Sequence, residues 1–368
     1  MIRIVLLLTF VSIFPNAHAE DSDDFYVTNN KSAFEAKKLG RYQKAFQLFL
    51  DNAESDDAIA QYELALIYEN GRSGNKNFKS AFKWAEKSMQ QGNKEATYLI
   101  ATYYQKGKGI SKDVKLALNY YNIASKLGDV DALRVLAKSY YSGGELTTIN
   151  KQLSHNYYLK ISKTGDEQAQ LTVGLNYLNA EGVERSLNDA VYWLSEAANQ
   201  SEINAMFYLG QMYLKGEGVT KDIPKGLELL NDASEFSHVH ASYLLAKLYD
   251  EGEIVPRNFT KARSYYEEAG LLGHTGAQVR LARMHAEGIG YIEDYVKAYA
   301  WLLLAQANGH PDAKKIRTVL AKNMSKKETV EAKDYFDEIE SRKQSKVVQV
   351  KYECRSISIL SFNVNSGC

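Results

Sequence analysis

Small and apolar residues return along this chain at a fixed interval. Ala60, Ala96, Ala132, Ala169, Ala205, Ala241, Ala277 and Ala313 are separated by 36, 36, 37, 36, 36, 36 and 36 residues, and so steady a period marks stacked supersecondary units. Counting each alanine as position 1, position 5 is aliphatic (Leu64, Ile100, Leu136, Val173, Leu209, Leu245, Leu281) and position 6 is alanine or glycine. Position 9 is tyrosine in every unit but the last, where His285 stands. These positions share one helical face, so each unit opens with a helix A. Position 12 is glycine at Gly71, Gly107, Gly143, Gly216, Gly252 and Gly288, with Ala180 the exception. Glycine there closes a helix in the left-handed conformation without a Cβ clash.

A second stripe predicts a helix B in each unit. Position 22 is small (Ala81, Ala117, Ala190, Gly226, Ala262, Ala298) and position 25 is large (Trp84, Tyr120, Trp193, Leu229, Tyr265, Trp301), with Ser154 and Tyr157 in these places in the longer unit. All tryptophans of the chain, Trp84, Trp193 and Trp301, share this phase, and each is expected to be a buried plug between helices. Helix B is expected to end near Gly92, Gly128, Gly165, Gly273 and Gly309, or at Ser201 and Ser237, followed by capping residues such as Asn93, Asp129 and Asp166.

The segment "GEGVTKD" from Gly216 resembles a phosphate-cradling loop. The same turn recurs as "GKGISKD" from Gly107, and a phosphate loop follows a strand rather than returning once per helix pair. Punctuation is therefore the expectation for both glycines.

The recurring pattern resembles the Sel1-like repeat family, relatives of the tetratricopeptide repeat. The residues that carry it are the position 1 alanine, the aliphatic-small pair, the tyrosine, the G-x-G turn and the helix B alanine and aromatic, as in "AMFYLGQMYLKGEGVTKD" from Ala205. Gly226 and Leu229 depart from the alanine and aromatic expected there. The resemblance covers residues 60–313 as seven units, and "GRYQKAFQLFLDNAESDDA" from Gly40 matches a helix B, so residues 20–59 are expected to be a partial repeat. It implies an all-α, right-handed α/α solenoid that binds other proteins, often as an adaptor in bacterial envelopes.

After Ala313 the period lapses. Ile316, Leu320 and Met324, then Val330, Tyr335 and Ile339, read as helical stripes that close the solenoid over residues 314–343. Ser325 and Glu328 form a capping-box pattern. In residues 344–368, Val348, Val350, Tyr352 and Cys354 alternate with polar residues, a strand-like pattern.

The other end carries an export pattern. Arg3, an apolar run from Ile4 to Phe14 and the small-x-small site Ala17-His18-Ala19 read as a signal peptide over residues 1–19, with the mature chain beginning at Glu20. That run of 11 residues is shorter than the roughly 20 a membrane-spanning helix needs. The expectation is a periplasmic or secreted protein that does not span the membrane. Cys354 and Cys368 are the only cysteines, and in an oxidising compartment they are expected to pair. Lys+Arg and Asp+Glu balance at 45 each, which leaves no field to hold nucleic acid.

Candidate chemistry is sparse. Ser80 and Lys83, Tyr120 and Asn122, and Lys163 to Gly165 occur in the order of a penicillin-recognising enzyme, yet they fall at repeat positions rather than on strands. Cysteine-rich members of the family act as weak β-lactamases, and their paired cysteines are missing here. His238, His274 and His310 share position 34; equivalent atoms of successive units lie about 10 Å apart, too far to share a metal, so a helix-capping role is expected. No cofactor is implied. By analogy with tetratricopeptide repeats, positions 3 and 7 of helix A face a concave groove, making Tyr62, Tyr98, Arg134, Lys138, Leu171, Phe207, Gln211, Tyr243 and Lys247 the candidate partner-binding residues. Aromatic anchors among long polar chains suit protein recognition. The reading is a non-enzymatic adaptor for an envelope protein, the alternatives being a cell-wall or β-lactam hydrolase and a secreted effector that binds a host protein.

Overall fold

Hydrogen-bond accounting at the helix ends explains why one sequence unit becomes two helices. Asp57, Asn93, Asp129, Asp166, Glu202, His238 and His274 each accept the backbone N–H of the position 1 alanine three residues on, at 2.6 to 3.1 Å. Each therefore satisfies a donor that the helix itself leaves orphaned. Asn77, Asp113, Asn150, Ser186, Asp222, Asn258 and Asp294 do the same for the B helices.

The computed structural model describes residues 21–74, 76–290 and 292–360, with side chains from residue 30 to residue 346 of these. The leader, Cys368 and the side chain of Cys354 lie outside the described residues, and with them the expected pairing. The chain forms two compact units, Met1–Ile161 and Ser162–Cys368. In the first, helix pairs follow one another: α1 (Asp21–Lys38) with α2 (Tyr42–Glu54), α3 (Ala58–Asn70) with α4 (Phe78–Gln90), α5 (Lys94–Lys106) with α6 (Val114–Lys126), and α7 (Val130–Ser142) followed by α8 (Lys151–Ser162). The second holds α9 (Glu167–Asn179) with α10 (Leu187–Asn199), α11 (Ile203–Lys215) with α12 (Ile223–Glu235), α13 (Val239–Glu251) with α14 (Phe259–Leu271), and α15 (Thr275–Glu287) with α16 (Tyr295–Ala307). It ends in α17 (Ala313–Leu320), a short 3-10 turn and the long α18 (Lys326–Leu360). The segment before Ala58, expected as a partial unit, thus folds as a helix pair.

Position 1 alanines are sealed from solvent because helix A meets helix B there. Helices α11 and α12 approach closely, so that a Cβ on Gly226 would sit 2.9 Å from the Gly210 carbonyl oxygen and 2.8 Å from the Leu214 side chain. That contact accounts for the glycine standing where the repeat expects alanine. Buried amides add a polar tie: Gln61, Gln170 and Gln278 donate to the Ala53, Ser162 and Gly270 carbonyls near the end of the preceding B helix.

Some apolar positions differ from expectation. The position 9 tyrosines are half-buried, and three stack on the position 25 ring of their own pair, Tyr104 on Tyr120 at 5.5 Å, Tyr140 on Tyr157 at 5.9 Å and Tyr249 on Tyr265 at 6.1 Å. The deeper site is position 8, filled by Ile67, Tyr103, Met212, Leu248 and Met284. Of the tryptophans only Trp301 is fully buried; Trp84 and Trp193 are half-buried. Trp301 lies in the core cluster that includes Ile339 of α18.

As far as residue 360 the C-terminal tail is helical and not strand-like. Helix α18 carries Val348 to Cys354 within it, and among the described residues no strand offers the backbone partners that an edge would need. Its start is fixed by the capping box, with the Glu328 carboxylate accepting from Ser325 N–H at 2.7 Å and Ser325 Oγ accepting from Glu328 N–H at 3.2 Å. The helix packs on α16 and α14, and Lys346 pairs with Glu268 at 3.2 Å.

Candidate functional site

A phosphate site would lie in the loop between helices A and B, and the glycines of that loop are committed elsewhere. Gly216 closes α11 at φ +77°, and its N–H bonds to the Met212 carbonyl at 2.8 Å. The second glycine permits a close approach between backbones. A Cβ on Gly218 would fall 2.6 Å from the Leu187 carbonyl oxygen, at the first residue of the preceding helix B. Gly109 approaches Phe78 in the same way. Both glycines serve helix closure and packing between repeats, and the loop backbone faces protein rather than an anion.

The hydrolase-like residues are likewise occupied by structure. Ser80 N–H is a capped helix amide, Tyr120 is stacked on Tyr104, and Gly165 is a turn at φ +91°. An open depression of about 720 Å³ at the last repeat is lined by Arg263, His285, Glu293, Asp294 and Lys297 among others. Charges of both signs meet there, Lys297 pairing with Asp294 at 3.2 Å, and burial holds the His285 imidazole down at about 4.

The candidate binding residues sort by depth. Leu171, expected on the groove, is instead buried in the core of the second unit, in one cluster with Leu194, Ala205 and Met206. Tyr62, Tyr98, Phe207 and Tyr243 are half-buried. One side of each measured ring packs inward: Tyr98 lies 5.7 Å from Tyr121, and Tyr243 lies 5.9 Å from Tyr266. Position 3 is thus both a packing site and a partly open surface. Position 7 is more open, with Lys138 and Lys247 exposed and Gln211 partly so. Lys247 reaches Glu251 at 3.5 Å.

Electrostatics changes the expectation at Tyr98. Arg134 pairs with Asp131 at 3.0 Å, so its charge is already met within α7. Burial raises the Tyr98 hydroxyl, with Asp131 and Asp129 adding to the rise. Tyr62 moves the same way through burial, then Glu63, Glu95, Asp129 and Asp131. The surroundings of both rings are more acidic than the residue types at positions 3 and 7 imply.

Of the position 34 histidines, His238 and His274 are caps as expected and His310 is not, and the groups gathered round the first two were not foreseen. His238 and His274 accept helix amides through Nδ1 at 3.0 and 3.1 Å, whereas His310 accepts from Asp312 N–H at 3.2 Å. Phe207 lies 4.6 Å from His238, and Tyr243 stacks on His274 at 3.9 Å. The signal was present in the recurrence of histidine at position 34 together with an aromatic residue at position 3 of the same unit.

Helix pairs repeated at one interval, with each loop locked against the preceding repeat, define an all-α repeat protein of the solenoid class. The family model of the Sel1 repeat matches residues 58–93, 94–129, 168–202, 203–235, 239–274 and 275–310, more than half of the sequence, and the chain belongs to the Sel1 repeat family. Residues 130–167 are unmatched, although α7 and α8 occupy them. Among solved structures, a Sel1 repeat protein from Oxalobacter formigenes is 27% identical, covering 86% of this chain and 92% of its own, at a TM-score of 0.58. The protective antigen c5321 of uropathogenic Escherichia coli, a protein with the SLR fold, is 19% identical over 94% of this chain and 89% of its own, at a TM-score of 0.54. No curated protein matches the chain. Sel1 repeats mediate protein–protein interaction and form non-enzymatic scaffolds. No described helix is long and apolar enough to cross a membrane.

Proposed function

We propose that this protein is a non-enzymatic interaction scaffold of the bacterial cell envelope, holding a segment of a partner protein along the open faces of its A helices. The observation that carries this reading is the recurrence of a half-exposed aromatic at position 3, at Tyr62, Tyr98, Phe207 and Tyr243, which at Phe207 and Tyr243 stands beside a long polar chain at position 7, Gln211 and Lys247. Rings anchored on one side and open on the other lose little freedom on binding, which favours recognition by shape. Envelope placement is supported by the leader pattern of Arg3, Ile4 to Phe14 and Ala17 to Ala19.

Affinity capture from native envelopes tests the reading. Lys138→Glu with Lys247→Glu, both at exposed sites, should weaken capture several-fold while helical circular dichroism stays unchanged. Undiminished capture of every partner would move the binding surface off the A helices. A mature N-terminus other than Glu20 would remove the basis for export through this leader.

A further inference from the structure

Three imidazoles meet on one face of the second unit. His238 and His274 cap α13 and α15, and His240, near the start of α13, lies between them with its ring centroid 6.0 Å from His238 and 5.7 Å from His274. Phe207 and Tyr243 flank the group. Capping fixes the tautomer. Each Nδ1 accepts a backbone N–H, so it carries no proton, and in the neutral ring the proton sits on Nε2. Burial, then the neighbouring His240, lowers His238 to about 4, and the same causes lower His274. Both rings are therefore neutral at pH 7, with Nε2–H as donors.

Those donors are unanswered within the protein. Neither Nε2 has a hydrogen-bond partner among the described residues, and neither is sealed from solvent. Among the described residues, the ionisable neighbour that bears on both imidazoles is His240 and not a carboxylate. A metal does not suit the site, because coordination needs the Nε2 lone pair that the proton occupies while Nδ1 caps the helix. What suits it is an acceptor.

We propose that the patch of His238, His240 and His274 is a docking site for an acidic segment of the partner. A carboxylate accepts hydrogen bonds from the imidazole Nε2–H groups while an adjoining apolar side chain lies against Phe207 and Tyr243. A carboxylate is favoured over a neutral acceptor because charge-assisted hydrogen bonds are about twice as strong as neutral ones. The N-termini of α13 and α15 also lack the carboxylate caps that Asp129, Asp166 and Glu202 supply to α7, α9 and α11, so their partial positive charge is not met from within. The inference rests on the scaffold reading and names the chemistry of one partner segment.

The probe is the synthetic peptide acetyl-Phe-Glu-Glu-Leu-amide, titrated into the full chain at about pH 7.5 and followed through the imidazole NMR signals. The same peptide with Gln in place of Glu is the control. The expected result is a saturable shift of all three histidines, with the Glu peptide binding at least about tenfold tighter than the Gln peptide. His238→Asn, His240→Gln and His274→Asn together should abolish binding without lowering Tm, since asparagine caps α5 at Asn93. His240→Gln alone, at an exposed site, should weaken binding several-fold and keeps the test open if the triple variant unfolds. Equal affinity of the two peptides, unshifted imidazoles, or a triple variant that binds as the natural chain does would overturn the proposal. Peptide binding with no envelope partner captured would support the site and sink the scaffold reading instead.

Discussion

At the residue scale, function and stability meet in the caps. Asn93, Asp129, Asp166, Glu202, His238 and His274 all serve as acceptors at position 34, but a histidine acceptor works only while Nδ1 is unprotonated. Because His238 and His274 titrate lower in the folded protein than their ordinary value of about 6.5, the unfolded chain takes up protons first as pH falls. Their contribution to stability is intact above about pH 6.5 and is lost progressively toward pH 4, where His238 titrates in the fold. Urea melts at about pH 7 and pH 5 should show a smaller loss for His238→Asn with His274→Asn than for the natural chain; equal losses would show that other groups control this window. A second residue is strained rather than titratable. Ala180 holds φ +58° where other repeats have glycine, so Ala180→Gly should stabilise by about 0.5–1 kcal/mol in denaturant melts. No gain would mean that the cost of ordering glycine equals the strain it relieves.

Within the helix pair, the period disclosed which residues face inward but not how deeply. Position 9 looked like core because its spacing matches the buried stripe, yet the helical advance carries Tyr104 and Tyr249 to the edge, where they stack rather than bury. Half-burial of Trp84 and Trp193 has the same origin, for a shared phase sets direction and only the neighbouring helix sets depth. Gly226 is the clearest case of a departure from the repeat with a physical cause. Alanine is the better helix former by about 1 kcal/mol, so propensity alone predicts that Gly226→Ala stabilises. The Gly210 carbonyl at 2.9 Å and Leu214 at 2.8 Å from the added Cβ predict the opposite, a loss of about 1–3 kcal/mol from overpacking. Thermal melting of this single variant decides between propensity and packing, and an unchanged or higher Tm would show that α11 and α12 can part by a few tenths of an ångström.

For the whole molecule, the end of the chain is where sequence and structure diverge most. A repeat announces itself by recurrence, whereas a cap occurs once and must be read from local pattern alone. Val348 to Cys354 alternates as a strand would, but a long helix already under way extends through them. The candidate site was legible to a similar degree: positions 3 and 7 emerged from spacing, while the pairing of Arg134 with Asp131 and the burial of Leu171 depend on neighbours that no period reports. In the cap itself the inward stripe is Ala332, Tyr335, Phe336 and Ile339, with Ile339 fully buried, whereas Ile316 is 39% and Val330 58% exposed. Ile339→Ala should therefore cost about 2–4 kcal/mol, as a buried aliphatic truncation does, and the Trp301 cluster it joins should loosen, moving tryptophan emission to longer wavelength. Ile316→Ala and Val330→Ala should each stay within about 0.5 kcal/mol of the natural chain, as exposed substitutions do. Denaturant melts of these three variants followed by tryptophan fluorescence separate the two stripes. A large loss at Ile316 or Val330 would mean that those side chains are covered in solution, and a negligible loss at Ile339 would mean that α18 does not close the second unit.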